Sequence, residues 1–175
     1  EIYFLPWITE EKVRSVYPER RDNVNSLEEA YRIVTEKMHE SFEDGKRHIV
    51  ISHAFVSSSE VSESDRAASI GYATQIPASI FDDFDYVALG HLHRPQNITE
   101  TVRYAGSPMP YSFGKEEKHE KSVTVIDTDS MEQIIVPLKL LHERTTIEGT
   151  LDEILHPDCD EKIVNGYVRA VFTDT

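Results

Sequence analysis

The sequence predicts an α/β (α+β) fold, and three observations support this. Short apolar segments alternate with capped amphipathic segments through about the first two thirds of the chain, as in proteins that pack helices on a sheet. A chain of 175 residues with 39% hydrophobic residues can bury a sizeable core. After about Asp127 the pattern changes to extended segments and short helices. We therefore expect two units, residues 1–130 and the beginning of a smaller α+β unit at residues 131–175.

The amino-terminal elements can be read from their start and stop residues. Ile2–Leu5 predicts a short strand that stops at Pro6, which cannot donate a ladder hydrogen bond. Thr9 is typical of the residue that caps a helix, and two glutamates and a lysine follow it. We expect this first helix to end near Pro18.

A longer second helix follows. Ser26 and Glu29 have the spacing of a capping box, and Gly45 marks the end of the helical region. Its apolar face at helical spacing comprises Leu27, Ala30, Tyr31, Val34 and Met38. His48–His53 then predicts a buried strand, and the polar segment Ser57–Asp65 predicts an exposed loop.

The rest of the chain continues the alternation. Two prolines within five residues require a loop at Gly106–Pro110. The other predicted elements are a short helical segment Ile76–Phe84, strands Tyr86–Leu89, Thr101–Ala105, Ser122–Asp127 and Gln133–Leu141, an extended stretch Leu138–Ile147, a helix Leu151–Leu155 and a strand Gly166–Phe172.

Composition limits the class of function. The net charge of −14 argues against a protein that coats DNA passively, because affinity for phosphates comes largely from Lys and Arg. A single cysteine, Cys159, excludes an intrachain disulfide framework and favours a cytoplasmic protein. No apolar run approaches the length of a membrane span, and residues 1–6 lack the basic and long apolar segments of a signal peptide. The chain begins without Met, so we expect an excised piece whose beginning lies elsewhere.

Three histidines follow predicted strands directly. His53 ends one strand, and His91 and His93 follow the next one at Gly90, which allows close backbone approach. Ligands collect at the carboxyl ends of strands in open α/β sheets, and neutral imidazole suits Zn, Mn and Fe. His91 and His93 could each reach a different ion of a two-metal site. Packing or hydrogen-bonding histidines near a sheet edge remain the alternative.

Carboxylates that would share such a site are scarce. Asp82, Asp83 and Asp85 precede the strand that ends at Gly90, so we expect them at the opposite edge of the sheet. Asp65 and Glu63 lie in the polar loop and are only slightly better candidates. Other polar residues carry weaker signals. We interpret His39 and His48 as surface residues, His119 as part of a solvated charged loop at residues 115–121, and Arg94 and Gln96 as either phosphate contacts or loop stabilisers.

Several ordered motifs resemble a known family. They are Ser-His-Ala-Phe-Val at residues 52–56, Ser-Glu-Ser-Asp-Arg at 62–66, Tyr-Val-Ala-Leu-Gly-His-Leu-His-Arg-Pro-Gln at 86–96, and Tyr-Ala-Gly-Ser-Pro-Met-Pro-Tyr-Ser-Phe-Gly at 104–114. In this combination the chain resembles the SbcD-type nuclease subunits of the calcineurin-like metallophosphoesterases, roughly from residue 49 to residue 127.

The resemblance implies a β-sandwich flanked by helices that holds two divalent metal ions, with Mn²⁺ the expected metal. By analogy, His53 and His91 would bind one ion and His93 the other. It also implies a double-strand exonuclease and single-strand endonuclease of DNA repair, recombination and replication, with an SbcC-type ATPase as partner and DNA ends and hairpins as substrates. The family's smaller capping domain, which helps to contact DNA, would begin after about residue 130.

The chain departs from the family in one respect. The motifs Asp-x-His, Gly-Asp-x-x-Asp and Gly-Asn-His-Asp, which supply the bridging aspartate, other ligands and a proton-donating histidine, would precede Glu1. We therefore expect a carboxyl-side fragment that is inactive alone and binds metal weakly. A non-catalytic module that contacts DNA or the ATPase, and a phosphoesterase for small nucleotides, remain alternatives. Exposed sheet edges would also allow a homodimer.

Overall fold

A central sheet of five strands organises the chain. The computed structural model describes residues 1–62, 65, 75–155 and 161–174. In chain order the strands are β1 (Ile2–Leu5), β2 (Ile49–His53), β3 (Phe55–Val56), β4 (Gln75–Ile76), β5 (Tyr86–Gly90), β6 (Gln96–Asn97), β7 (Val102–Tyr104), β8 (Ser122–Ile126), β9 (Gln133–Pro137), β10 (Arg144–Gly149) and β11 (Tyr167–Phe172). The central sheet has the order β1-β2-β5-β7-β6, in which only β6 runs antiparallel to its neighbour.

The register of this sheet determines what meets at its edge. His53, the last residue of β2, pairs with Gly90, the last residue of β5. One step earlier, Leu89 pairs with both Ser52 and Tyr104. The carboxyl ends of β2, β5 and β7 therefore lie side by side, as the sequence predicted for the segments that carry the histidines.

Four helices form in the described residues, and the two longer ones begin where the sequence predicts caps. They are α1 (Glu10–Val16), α2 (Leu27–His39), α3 (Leu151–Ile154) and α4 (Glu161–Val164), with short 3₁₀ turns at Pro18–Asn23, Ala78–Phe81 and Glu116–Lys118. The Thr9 side chain caps α1, and the Ser26 hydroxyl accepts from the Glu29 amide at the start of α2. Glu29 reaches back to the amide of Asn25 and not to that of Ser26, so the expected capping box is displaced by one residue.

The core lies between α2 and the central sheet. Leu27, Ala30 and Tyr31 of α2 are buried as predicted, whereas Val34 and Met38 are only partly buried. Val50, Val87 and Leu89 of the paired strands are 2% exposed or less. Apolar side chains near the β1 edge stay exposed, namely Ile2, Phe4 and Ile51.

Smaller strand pairs follow the central sheet. β8 and β9 form the predicted antiparallel hairpin, and the Arg103 Nε of β7 donates to the Thr124 hydroxyl of β8 at 2.9 Å. β10 and β11 pair in parallel over six residues, with α3 opened by a capping box of Thr150 and Glu153. These elements establish the mixed α/β class that the sequence predicts. In the described part of the chain no helix is long and apolar enough to cross a membrane.

Three sequence-based expectations about exposure are wrong. Ser62 and Asp65 of the polar loop are buried, as are Glu116 and Lys121 of the charged segment. His48 is buried too, and its ring stacks on Phe42 with centroids 3.8 Å apart. Ser62 hydrogen-bonds to Asp65, and Glu116 pairs with Lys121, which offsets the cost of removing these polar side chains from water.

Candidate metal centre

Two of the three predicted histidines meet at the edge of the sheet. The Nε2 atom of His53 lies 3.3 Å from the Nδ1 atom of His91, and the two rings are nearly perpendicular. His53 reaches this position from the end of β2, and His91 from the residue after β5. Because β2 and β5 are paired neighbours, the strand register brings the two imidazoles together.

The backbone around His91 is adapted to this geometry. His91 has a φ angle of 108°, a conformation that residues with a side chain rarely adopt. The preceding Gly90 lies against the His53 ring, since a Cβ atom added to it would lie 3.2 Å from His53 Nδ1. The absence of a side chain at Gly90 therefore lets the His53 ring pack close to β5, as the sequence suggested.

Aromatic residues surround the histidine pair. The Trp7 ring stacks on His91 with centroids 5.7 Å apart and meets His53 edge-on at 6.1 Å. Phe55 packs on His91 from the core. The hydroxyl of Tyr31 donates to the His53 carbonyl at 3.3 Å. The pair is thus held by packing and by a backbone contact, while Trp7 remains 42% exposed beside it.

The surroundings keep the His91 ring neutral more readily than water would. Burial lowers the pKa of His91, and the neighbouring His53 lowers it further, while Asp65 acts in the opposite direction. A lowered pKa favours the neutral imidazole at pH 7. The neutral ring is the form that binds a metal ion.

His93 lies in a separate polar environment. Its Nδ1 atom is 3.2 Å from Asp65 Oδ1, and its backbone amide donates to the same oxygen at 3.2 Å. The Asp65 carboxylate also accepts from the amide and hydroxyl of Ser62, at 3.0 and 2.5 Å. Asp65 is therefore a buried carboxylate that contacts both the backbone and the ring of His93.

A buried ion pair supports the other side of His93. The Lys121 ammonium donates to the His93 carbonyl at 2.9 Å and to the Ser107 hydroxyl at 3.1 Å. Glu116 Oε1 lies 3.4 Å from the same ammonium, and both side chains are fully buried. Burial lowers the pKa of Lys121, and the Glu116 carboxylate opposes that effect.

The aspartates before β5 lie away from the histidines, as the sequence predicted. Asp85 accepts from the His48 amide and from Arg47, both at 2.8 Å, beside the beginning of β2. Asp82 and Asp83 are exposed. Gly90 is five positions after Asp85, which corresponds to roughly 16 Å along a strand. These carboxylates therefore lie near the amino ends of the strands, at the opposite end of the sheet from the histidines.

Several other candidates have a structural explanation. Arg94 pairs with Glu60, and the Gln96 side chain exchanges hydrogen bonds with the backbone of Glu60 at 2.7 and 2.8 Å. Both residues therefore stabilise the loop, which is the second of the two interpretations that the sequence allowed. His39 is exposed as expected, and His119 is partly buried. Glu63 and Cys159 lie outside the described residues.

The histidine pair fits a metal ion in spacing and in donor chemistry. Two imidazole nitrogens bound to one ion at about 2.1 Å, at a tetrahedral angle, lie roughly 3.4 Å apart. The observed distance of 3.3 Å from His53 Nε2 to His91 Nδ1 is close to this value, and it is also a hydrogen-bond distance between the two rings. Among the described residues, no group of three or more His, Cys, Asp or Glu could hold a metal ion. The structure thus brings two of the three predicted histidines together and holds His93 in a neighbouring polar network.

Sequence reasoning missed the residues that surround the histidines. The local sequence ranks Asp65 only slightly above the other carboxylates, and it does not single out Glu116, Lys121 or Trp7 at all. For Asp65 and Trp7 the available signal is their place in the chain, because Asp65 lies in the segment after β2 and β3, and Trp7 follows β1. Both β1 and β2 end at the edge where the histidines lie.

Comparison with known proteins shows what the chain resembles. No family model matches the chain. The chain is 30% identical over 178 aligned residues to the SbcD subunit of the SbcCD nuclease of Staphylococcus epidermidis. The alignment covers 99% of this chain and 47% of the relative, so the chain spans about half the length of that protein.

Proposed function

Because this chain is homologous to the SbcD subunit of an SbcCD nuclease over nearly its whole length, we propose that it belongs to the nuclease subunit of an SbcCD-type complex. In the whole protein it takes part in metal-dependent hydrolysis of DNA phosphodiesters. The observation that carries this proposal is the approach of His53 Nε2 to His91 Nδ1 at the ends of two paired strands. The finer activities proposed are exonuclease action on double strands and endonuclease action on single strands, in DNA repair, recombination and replication.

Three histidines of this chain are the proposed ligands of two divalent ions. His53 and His91 bind one ion through the two nitrogens that face each other, and His93 binds the second. Mn²⁺ is the proposed metal. Carboxylate ligands from outside these 175 residues complete the site, and for this reason the chain by itself is proposed to be inactive and to bind metal weakly. When bound, the ions supply positive charge to the phosphate and lower the pKa of a water molecule.

The chain's own residues orient the site. Gly90 and the φ angle of His91 direct the His91 ring toward His53, and Tyr31 holds the backbone of His53. Metal ions also offset the unfavourable charge of the protein, because the net charge of −14 would otherwise repel DNA.

Residues 131–175 are proposed to begin the cap that contacts DNA. Arg144 of β10 and Arg169 of β11 both lie over the ring of Phe113, at 5.1 and 5.7 Å from its centroid. Phe113 belongs to the segment that follows the Gly-Ser-Pro block, so these contacts join the proposed cap to the proposed nuclease domain. An SbcC-type ATPase and DNA ends or hairpins are the proposed partners.

The test is a nuclease assay on the full-length protein, with and without its ATPase subunit. With Mn²⁺ present, release of nucleotides from double-strand DNA ends is expected, and His91→Ala should reduce it at least about 100-fold, since a metal ligand is lost. His39→Ala is the control, because His39 is an exposed histidine at the end of α2. DNA binding without hydrolysis would favour the non-catalytic module, and hydrolysis of cyclic nucleotides alone would favour a small-nucleotide phosphoesterase.

A further inference from the structure

His93 is held at its amide, its carbonyl and one ring nitrogen. Asp65 accepts from the amide and lies within hydrogen-bond distance of Nδ1. The carbonyl accepts from Lys121 Nζ at 2.9 Å and from the Ser107 amide at 3.1 Å. The edge of Tyr111 packs against the ring, with centroids 4.7 Å apart. Few rotations of this side chain are compatible with all of these contacts.

The partners of His93 are themselves buried. Asp65 is 2% exposed, Glu116 is 1% exposed and Lys121 is 2% exposed. Burying charged groups is costly unless they are paired and hydrogen-bonded. Glu116 is placed to offset the charge of Lys121, and it also accepts from the amides of Tyr111 and Ser112 at 3.0 and 3.1 Å. One cluster therefore fixes both the backbone of His93 and the loop that packs on its ring.

We propose that Asp65 is a positioning residue for His93, and that the buried Glu116–Lys121 pair is its backbone support. The inference rests on the proposed function and names residues that act through one of its ligands. A carboxylate at Nδ1 favours the tautomer with the proton on Nδ1, and the lone pair of that tautomer is on Nε2. Asp65 thus selects Nε2 as the metal-binding nitrogen of His93. Carboxylates that play this part for other metal-binding histidines typically raise metal affinity by about 10–100-fold.

A buried carboxylate could instead serve stability alone. The two roles differ in what an amide at the same position would do. In Asp65→Asn the side chain keeps its size and can still accept a hydrogen bond, but its NH₂ group can donate to Nδ1. Donation to Nδ1 favours the tautomer with the proton on Nε2. A purely structural Asp65 would change stability without changing the tautomer.

The test is ¹⁵N NMR of the full-length protein with labelled histidine, together with Mn²⁺ binding followed by EPR. The wild-type His93 signal, assigned with His93→Gln, should show a protonated Nδ1. Asp65→Asn should shift it toward the Nε2-protonated form and weaken Mn²⁺ binding at one of two sites by about 10–100-fold. The matched control is Asp85→Asn, because Asp85 also contacts the backbone and ring of a histidine, His48, at the other edge of the sheet.

The outcomes separate this inference from the proposed function. An unchanged tautomer and unchanged Mn²⁺ binding in folded Asp65→Asn would overturn the positioning role. If the tautomer changes but neither Asp65→Asn nor His93→Gln alters Mn²⁺ binding, His93 is not a ligand and the proposed site is wrong. In folded Glu116→Gln/Lys121→Met, which removes both charges together, Mn²⁺ binding should weaken less than in Asp65→Asn, since Asp65 still contacts Nδ1. An equal loss of Mn²⁺ affinity in the two variants would mean that the Glu116–Lys121 pair, and not Asp65, positions His93.

Discussion

His91 combines a proposed ligand role with an unfavourable backbone conformation. A φ angle of 108° is rare for a residue with a side chain and costs on the order of 1–3 kcal/mol. The folded protein tolerates this cost because β5 on one side and the His93 network on the other fix the positions of the flanking residues. The strain directs Nδ1 of His91 toward His53.

Replacement of His91 should show this strain directly. Both His91→Gly and His91→Ala remove the ring, but only alanine retains a Cβ atom at the positive φ. We expect His91→Gly to be more stable than His91→Ala by about 1–3 kcal/mol, the reverse of the usual preference for alanine in regular structure. Urea unfolding of the two variants measures the difference. A more stable alanine variant would mean that the backbone at His91 is not strained.

At the scale of single residues, the sequence predicts the histidines better than their partners. His53 and His91 could be found because each follows an apolar strand, and parallel strands bring their ends together. Local sequence ranks Asp65 only slightly above Asp85, since its burial depends on a contact with His93, 28 residues away. The burial of Lys121 and Glu116 could not be predicted from the sequence, because only the tertiary fold brings these two charged side chains together.

At the scale of elements, the Gly-Ser-Pro loop connects β7 to the His93 network. Gly106 has a φ angle of 79°, and a Cβ atom added to it would lie 2.6 Å from Cγ of Pro95. The next residue, Ser107, donates its amide to the His93 carbonyl. The close contact of Gly106 with Pro95 therefore places the donor that holds His93.

Gly106→Ala should disrupt this loop. Both the positive φ and the clash with Pro95 disfavour the substitution, so we expect a loss of about 2 kcal/mol or more in the free energy of unfolding. Adding Pro95→Ala removes the ring carbons but not the backbone contact, and it should restore only part of that loss. Denaturant midpoints of the single and double variants give the coupling energy between Gly106 and Pro95. A neutral Gly106→Ala would show that the loop adapts without cost.

Most elements could be predicted from the sequence, since caps, prolines and apolar alternation act locally. The strands that carry the histidines, the hairpin of β8 and β9 and the starts of the two capped helices lie within a few residues of their predicted positions. The second helix is predicted to end near Gly45, whereas α2 ends at His39. The predicted second strand of the hairpin runs to Leu141, whereas β9 ends at Pro137. Pairing partners such as β10 with β11 depend on the tertiary fold and could not be read from the pattern.

At the scale of the whole molecule, the resemblance to SbcD-type subunits is confirmed by 30% identity over 99% of the chain. The mixed α/β class is confirmed as well. The division at about residue 130, the homodimer and a cytoplasmic location stay predictions.

Two buried tyrosines predict how the fold responds to alkali. Burial raises the pKa of Tyr31 and of Tyr104 to about 12, against about 10 in the unfolded chain. The stability that they contribute is therefore complete below pH 10 and is lost as the pH rises through 12, by about 3 kcal/mol each. Urea midpoints at pH 8 to 12 measure this loss, and Tyr31→Phe should make it shallower. The same dependence of stability on pH in Tyr31→Phe would contradict the assignment of part of this loss to Tyr31.

The central claim is that His53 and His91 of this chain bind one divalent metal ion and that His93 binds a second. The most direct measurement is an anomalous difference map from crystals of the full-length protein soaked in Mn²⁺. We expect two peaks, one about 2 Å from both His53 Nε2 and His91 Nδ1 and the other at the same distance from His93 Nε2. A map without a peak at the histidine pair, or with manganese bound at another surface only, would contradict it.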